Sequence, residues 1–323
     1  MNKVSKIALN LAIFLVIIGF AWYMAASINN DGSSGSGFFR GASGTFESHY
    51  RQVSSFKLPD EINRFELYDN RLFISAGQRV YILDTEGKRL ADFPVRENAR
   101  DITVSDDEIY LLYPTRIEVF SMNGDAIRQW DACSDLSDYC SFTVAGDAVF
   151  VTDAENKDVC KYTKDGNPVK FIKSPRGFII PSYSFDIDSW NDTIYCVNSG
   201  RHLIETYTLN GDFITAFGAP GAEAGFFAGC CNPAYISFTS CGALITSEKG
   251  NPRVSAFERN GKFNSVWLNS KMLGGGNKAY EIKTLDGKLF AAGKKQVSVF
   301  QCDKTSVPAA ACLEGCAGCP FRK

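Results

Sequence analysis

Residues 149–162 read VFVTDAENKDVCKY, and the same arrangement returns as IYCVNSGRHLIETY from Ile194 and as ALITSEKGNPRVSAF from Ala243. Each stretch has an apolar run, a polar loop, and a second run in which Val or Ile stands three positions before Tyr or Phe. Short runs rich in β-branched and aromatic residues, separated by a polar loop, are typical of β-hairpins. The fold is therefore expected to be built from repeated hairpins.

The repeat extends over most of the chain, with further copies beginning at Leu72 (LFISAGQRVYIL), Ile109 (IYLLYPTRIEVF) and Leu289 (LFAAGKKQVSVF). The branched residue that marks the register recurs at steps of 37, 42, 45, 50 and 43 residues, at Val80, Ile117, Val159, Ile204, Val254 and Val297. A period of this size with four short strands per unit indicates a β-propeller. Six copies predict an all-β fold with six blades, and a β-sandwich with evenly spaced hairpins is the alternative.

Two further features support a closed ring. Glycine follows the third strand of five copies, at Gly87, Gly124, Gly166, Gly211 and Gly261. The Asn-Gly and Asp-Gly pairs among them favour tight hairpin turns. The sixth copy ends after its third strand, whereas residues 48–58 precede the first strand of the first copy. We therefore expect residues 48–58 to supply the missing outer strand, which would leave no exposed sheet edge.

With these residues the chain resembles the NHL-repeat family, whose blades share a strand, a polar loop with Asp, Asn and Arg, and a strand that ends in an aromatic before a Gly turn. The resemblance covers roughly residues 48–302 and is clearest in VTDAENKDVCKYTKDG from Val151, VNSGRHLIETYTLNG from Val197 and TSEKGNPRVSAFERNG from Thr246. None of the three has the full Asp-x-x-Asn-x-Arg loop. The resemblance implies a six-bladed propeller, but propellers like this one include scaffolds, lyases, hydrolases and sugar or peptide binders.

Residues 7–28 form an almost unbroken apolar run that is long enough to cross a bilayer as a helix. Lys3 and Lys6 precede it, and the positive-inside rule then keeps residues 1–6 in the cytoplasm. A signal peptide cleaved near Ala25 and Ala26 is the alternative. Both interpretations place the rest of the chain on the extracytoplasmic, periplasmic side, and the first makes it a single-pass protein of the cell membrane.

The remaining chain is expected to comprise a Gly- and Ser-rich linker at 29–47, the propeller at 48–303 and a Cys-rich tail at 304–323. The formal net charge of -2 gives no electrostatic reason to expect a nucleic-acid partner.

A candidate ligand site lies in the connection FGAPGAEAGFFAGCCNPAYI from Phe217, which is longer than its counterparts. This connection and the loops between second and third strands should meet on one rim of the ring. The residues expected there are Cys230, Cys231, Asn232, Glu248, Lys249, Arg253, Arg201 and His202. One interpretation is that Arg253, Lys249 and His202 bind a small anionic ligand with a carboxylate or phosphate. The other is that Lys249 and Arg253 pair with Glu248 in a solvated loop.

The chain has eleven cysteines. Cys133 and Cys140 share one inter-blade loop and are predicted to form a disulfide, whereas Cys160 and Cys196 are predicted to be packing residues. Cys312, Cys316 and Cys319 lie close together in the tail, and a fourth partner is available in Cys302, Cys230 or Cys231. These thiols suit an iron-sulfur cluster or zinc, or else disulfides that fasten the tail to the ring.

Two observations limit the catalytic chemistry. The chain has only two histidines, His49 and His202, so a multi-histidine metal lyase site of the kind found in some NHL-like propellers is excluded. Asp186 and Asp188 alternate in or near an inner strand, so they should share one face, which gives weak support to a calcium site.

Three functions follow from these features. The leading hypothesis is a membrane-anchored, non-enzymatic scaffold that binds a ligand or an envelope protein partner at its rim. The alternative is an envelope redox protein that holds an iron-sulfur cluster or metal through tail and rim cysteines. The third is a hydrolase or lyase that uses Glu248 as a base.

Overall fold

The computed structural model describes residues 48–302, which form six four-stranded antiparallel sheets. The six-bladed propeller predicted from the repeats is confirmed, and the NHL-like resemblance is compatible with it. The predicted membrane helix at 7–28, the linker at 29–47 and the tail at 304–323 lie outside the described residues. No helix within residues 48–302 combines the length and apolar character of a membrane span.

Each blade uses four consecutive strands, except that the last blade borrows its outer strand from the start of the described chain. The strands are β1 Tyr50–Lys57, β2 Ile62–Tyr68, β3 Arg71–Ala76, β4 Arg79–Asp84, β5 Arg89–Pro94, β6 Asp101–Ser105, β7 Glu108–Tyr113, β8 Arg116–Ser121, β9 Ala126–Asp131, β10 Tyr139–Ala145, β11 Ala148–Asp153, β12 Asp158–Thr163, β13 Pro168–Ile172, β14 Ile187–Trp190, β15 Thr193–Asn198, β16 Leu203–Thr208, β17 Phe213–Phe217, β18 Tyr235–Phe238, β19 Leu244–Glu248, β20 Arg253–Phe257, β21 Phe263–Leu268, β22 Glu281–Leu285, β23 Lys288–Ala292 and β24 Gln296–Cys302. One short 3-10 turn, Ser199–Arg201, follows β15.

The ring closes in blade 6, where β1 pairs antiparallel with β24 in a register that sets Tyr50 opposite Cys302 and Lys57 opposite Gln296. This confirms the expectation that residues 48–58 supply the missing outer strand. The inner strands of the six blades, β2, β6, β10, β14, β18 and β22, contact one another in sequence, and β22 returns to β2. The sheet of blade 6 therefore has the full four strands, in the order β1-β24-β23-β22.

The core consists of six apolar layers, one between each pair of neighbouring blades. Between blades 1 and 2, for example, Phe73 and Ile82 pack with Ile109 and Leu111. The second strand of each blade is buried on both faces, as in β7, where the last five residues IYLLY are all buried. Continuous apolar runs in the sequence, instead of strict alternation, follow from this double burial.

The hairpin glycines also shape the contact between blades. Gly124 has a φ of +86°, and a Cβ added there would lie 2.5 Å from Cγ of Phe93, in the outer strand of the preceding blade. The same contact with a large apolar side chain of the preceding blade recurs at Gly87 with Phe56, Gly166 with Trp130, Gly211 with Ile172, and Gly261 with Phe217. The glycines predicted as turn formers are thus also needed for close packing.

A Gly124→Ala substitution should therefore destabilise the propeller by more than the backbone strain of a non-glycine residue at positive φ. We expect a loss of about 1–3 kcal/mol from overpacking against Phe93, added to about 1–3 kcal/mol from the left-handed backbone. Gly250→Ala is the matched control, because Gly250 has the same φ of +86° with nothing within 4 Å of an added Cβ. Urea unfolding that gives equal losses for both variants would show that the contact with Phe93 contributes nothing.

Candidate functional site

Each inner strand directs one polar side chain towards the axis of the ring, at or near the start of the strand. Arg64 holds this group together: its guanidinium lies 2.8 Å from Asp186, 3.5 Å from Glu281 and 3.8 Å from Asp101. It also stacks over the ring of Tyr235, with 4.4 Å to the centroid. We call the set the axis cluster: Arg64, Asp101, Ser141, Asp186, Tyr235 and Glu281. Blades 1 and 4 lie opposite each other, so the Arg64–Asp186 pair spans the axis.

The carboxylates of the axis cluster are held by hydrogen bonds as well as by charge. The Ser141 hydroxyl lies 2.6 Å from Asp101 and 2.8 Å from Asp186. The backbone N–H of Phe65 donates to Glu281 at 2.9 Å, and the N–H groups of Phe142 and Ile236 donate to Asp101 and Asp186. Burial raises the pKa of Glu281 to about 8, although Arg64 opposes the shift. One guanidinium thus holds three converging carboxyl groups.

A second polar layer lies two residues further along the inner strands. Lys283 pairs with Glu66 at 2.9 Å. Asp188 is half-buried beside them. Loss of hydration is the main reason why its pKa rises to about 7, with Lys283 opposing the rise. The predicted common face of Asp186 and Asp188 is present. Nevertheless, no group of three or more His, Cys, Asp or Glu within residues 48–302 is arranged to hold a metal ion, which leaves the calcium hypothesis without support.

The axis cluster closes the bottom of a cavity at the channel mouth. This cavity has a volume of about 510 Å³ and is lined by Asn63, Arg100, Cys140, Tyr183 and Tyr235, among others. A neighbouring recess of about 340 Å³ shares Asn63 and Tyr235. Sequence reasoning did not identify Arg100, Tyr183 or Tyr235 as site residues. The available signal for Arg100 and Tyr235 was their position immediately before or at the start of an inner strand, whereas Tyr183 lies within a long connection.

The rim around this mouth is uneven. The connections into the inner strands of blades 4, 5 and 6 are long and cover residues 173–186, 218–234 and 269–280, whereas those into blades 1, 2 and 3 cover only 58–61, 95–100 and 132–138. The connections into blades 3, 4 and 5 expose four large apolar side chains: Leu136, Ile179, Tyr183 and Phe226. The long connections and the exposed apolar side chains therefore coincide at blades 4 and 5.

Glu248 and Arg253, at facing ends of β19 and β20, form a buried bidentate ion pair with both N···O distances at 2.7 Å. The other donors of Arg253 bind the carbonyls of Ala222, Glu223 and Phe226 in the long connection. All five N–H groups of the guanidinium are thus used inside the protein. An anion patch on this rim would have to be built without Arg253, and the pair is buried, in contrast to the predicted solvated loop.

Lys249 does not pair with Glu248. Its ammonium group donates to the hydroxyls of Ser182 at 2.5 Å and Ser184 at 2.9 Å, in the connection before blade 4. Asn232 fixes the backbone on the other side: its side chain accepts from the Lys249 N–H at 2.9 Å and donates to the carbonyls of Ala228 and Lys249. Residues 228–232 are therefore fastened to the loop after β19.

Cys230 and Cys231 lie in this fastened segment, with their sulfurs 3.2 Å apart. Cys230 is exposed and Cys231 is buried, and both are free thiols. His202 supports the segment through a hydrogen bond of 2.7 Å between its Nε2 and the carbonyl of Gly229. Arg201 points elsewhere and donates to the carbonyls of Gly177 and Arg176. The structure thus gathers all the predicted rim residues except Arg201 around residues 228–232.

The predicted Cys133–Cys140 disulfide is corrected by the structure, in which Cys133 is bonded to Cys160 and Cys140 is free. The pairing joins the loop before β10 to β12 of the same blade, because the folded sheet brings Cys160 under that loop. Cys160 is therefore not merely a packing residue, whereas Cys196 is a buried free thiol, as expected.

Cys302 is buried and disulfide-bonded. Cys312, Cys316 and Cys319, predicted to hold metal or form disulfides, lie outside the described residues.

Comparison with known proteins supports the propeller fold, through solved structures of low sequence identity. No family model matches the chain, and no curated protein matches it. Among solved structures, virginiamycin B lyase from Staphylococcus aureus is similar, with a TM-score of 0.54 and 13% identity over 78% of this chain and 99% of that one. The WD40 propeller domain of Doa1 has a TM-score of 0.55 and 10% identity over 79% and 98%. At such identities the likeness shows the propeller fold alone.

The buried Glu248–Arg253 pair predicts a large effect of removing one partner. Arg253→Met should destabilise the protein by about 3–5 kcal/mol, because it leaves a buried carboxylate without its cation. The double variant Glu248→Leu/Arg253→Met should recover much of that loss. Arg201→Met is the control and should cost less than about 1 kcal/mol, since its bonds reach only two carbonyls at the surface. Equal unfolding midpoints in urea for the two single variants would contradict this assignment.

The raised pKa of Asp188 predicts a pH effect on stability. Its pKa is about 7 in the folded protein and is near its ordinary 3.8 in the unfolded chain. Between these values the folded state binds a proton that the unfolded chain does not, so stability should fall as the pH rises from about 4 to 7.

Asp188→Asn keeps an acceptor for the N–H of Ser189 and removes the charge. Its melting temperature should therefore exceed that of the wild type at pH 8.5, with a smaller difference at pH 5. Asp192→Asn, at an exposed turn, is the control and should follow the wild-type profile. If Asp188→Asn follows it too, Asp188 is not the titrating group.

Proposed function

We propose that this protein is a membrane-anchored extracytoplasmic propeller that binds a protein partner over one side of its channel rim, without catalysis of its own. The observation that carries the proposal is the exposed apolar surface on the connections into blades 3, 4 and 5. Leu136 is 71% exposed and Tyr183 61%. Large apolar side chains that are exposed close together and bordered by polar groups are characteristic of protein interaction sites.

The two most exposed of these residues are linked by a polar group at the channel mouth. Arg100 forms an ion pair with Asp138, two residues after Leu136, and donates to the carbonyl of Tyr139 at 2.6 Å. The guanidinium also lies 6.0 Å from the ring centroid of Tyr183. Aromatic and arginine side chains are enriched at the energetically important centres of protein interfaces. The pair of Arg100 and Tyr183 beside the cavity is thus suited to be such a centre.

Other exposed apolar residues are distributed differently. They lie on the outer strands and around the circumference, as at Leu90, Ile127, Phe171 and Phe213. Ile127 also borders a recess of about 500 Å³ among the outer strands. At the rim, however, the exposed Tyr183 and Arg100 line one cavity together, and for this reason we place the partner there. The hydrolase or lyase alternative has little geometric support, because both oxygens of Glu248 are bonded to Arg253.

The membrane location in this proposal is supported by the sequence of residues 7–28 and by the lysines that precede it. The Cys133–Cys160 disulfide agrees with an oxidising compartment. An anchored propeller whose rim is free to bind would recruit its partner to the outer face of the membrane.

Site-specific photocrosslinking in the native envelope tests the proposal. A photoreactive phenylalanine analogue at position 136 or 183 should give one discrete protein adduct. The same analogue at Phe171 or Phe213, which are also exposed but lie on outer strands, should give none. Tyr183→Ser combined with Leu136→Ser should abolish copurification of the partner and leave the melting temperature unchanged. Adducts of equal yield from rim and outer strands, or none from the rim, would refute the proposal.

A further inference from the structure

The two adjacent thiols of the rim are held in a fixed local environment. Cys230 and Cys231 follow Gly229, whose carbonyl is bound by His202, and precede Asn232, whose side chain makes three hydrogen bonds. Asn232 itself is only 2% exposed. The segment is thus anchored on both sides of the cysteines, and the 3.2 Å contact between the sulfurs is set by the backbone.

A cation lies beside the inner thiol. The ammonium group of Lys249 is positioned by Ser182 and Ser184. Burial opposes ionisation of Cys231, but hydrogen bonds from Ser182, Cys230 and Lys249, together with the Lys249 charge, outweigh it and lower the pKa of Cys231. The hydrogen bond to Cys231 and the negative charge there raise the pKa of Cys230. Of the two thiols, Cys231 therefore loses its proton more readily than Cys230.

The two sulfurs also differ in access. Cys230 is exposed on the rim, whereas Cys231 is only 6% exposed. An external disulfide can therefore reach the sulfur of Cys230. The buried sulfur of Cys231 can instead react with the neighbouring sulfur of Cys230. We propose that Cys230 and Cys231 are a redox-active dithiol that exchanges with external disulfides and closes into a vicinal disulfide.

The exchange balances as follows. Cys230 attacks one sulfur of an external disulfide RSSR, its proton passes to the Cys231 thiolate, and a first thiolate RS⁻ leaves. Cys231 then gives up that proton to RS⁻ and attacks Cys230, which breaks the mixed disulfide and releases a second RS⁻. The dithiol loses two electrons and RSSR gains two, so the products are the vicinal disulfide, RSH and RS⁻.

The product should be easy to reduce. The Cα atoms of adjacent residues are about 3.8 Å apart across a trans peptide, which is closer than the usual range of about 4.4–6.8 Å for a disulfide. Strained, exposed disulfides are the labile ones. This property favours reversible exchange over a structural crosslink, and it does not depend on what the rim binds.

The experiment uses the full-length chain in detergent, equilibrated with mixtures of oxidised and reduced glutathione, then alkylated and digested with trypsin. Cys230, Cys231 and Cys241 are the cysteines of one tryptic peptide, residues 202–249, so Cys241 serves as an internal reference. We expect the first two to interconvert between two alkylated thiols and one disulfide while Cys241 stays alkylated. Cys231→Ser should accumulate a glutathione adduct on Cys230, and Cys230→Ser should accumulate none on Cys231.

Lys249→Met should slow the exchange by about threefold. A rise of about one unit in the pKa of Cys231 would lower its thiolate fraction about tenfold and raise the nucleophilicity of that thiolate about threefold. Lys271→Met, at an exposed lysine elsewhere, is the matched control and should leave the rate unchanged. The proposal is overturned if all three thiols stay reduced in oxidised glutathione, if the disulfide involves Cys241, or if the two lysine variants exchange equally fast. A circular dichroism melt of each variant separates these outcomes from loss of the fold.

Discussion

The whole ring is organised around the guanidinium of Arg64. Three carboxyl groups from blades 2, 4 and 6 converge on the axis, where their burial would be unfavourable without a cation among them. Because the contacts of Arg64 reach across the axis, the inner strands cannot separate without exposing unpaired charges. The axis cluster consequently occupies the axis at this level, and the cavity of about 510 Å³ lies at the mouth.

The sequence reveals the blades and the closure of the ring better than it reveals the contacts at the axis. Blade number, hairpin turns and closure by residues 48–58 could be predicted, because they depend on patterns that repeat within about 50 residues. Arg64 and Asp186 are 122 residues apart, and the Cys133–Cys160 pairing also depends on how strands stack in three dimensions. A partial signal existed in the charged residues at alternate positions of inner strands, such as Asp186 and Asp188, but it does not name partners.

At the rim, the sequence predicted which residues lie close together better than it predicted what each of them contacts. Asn232, Lys249 and the two cysteines do come together, because the long connection of blade 5 folds back on the loop after β19. Whether Arg253 faces solvent or the backbone of residues 222–226 depends on the fold of that connection, which has no repeat to copy. Sequence patterns do not predict the conformation of irregular loops, and in this protein such loops form the proposed binding surface.

The pairing of β1 with β24 has a mechanical consequence. The described chain enters and leaves the ring at the same end of one antiparallel pair, since Tyr50 lies opposite Cys302. A tension applied between these two ends would load the hydrogen bonds of the pair one after another, as in opening a zipper, and would not shear them all together. The seam that completes the ring is therefore also the place where pulling would open it first.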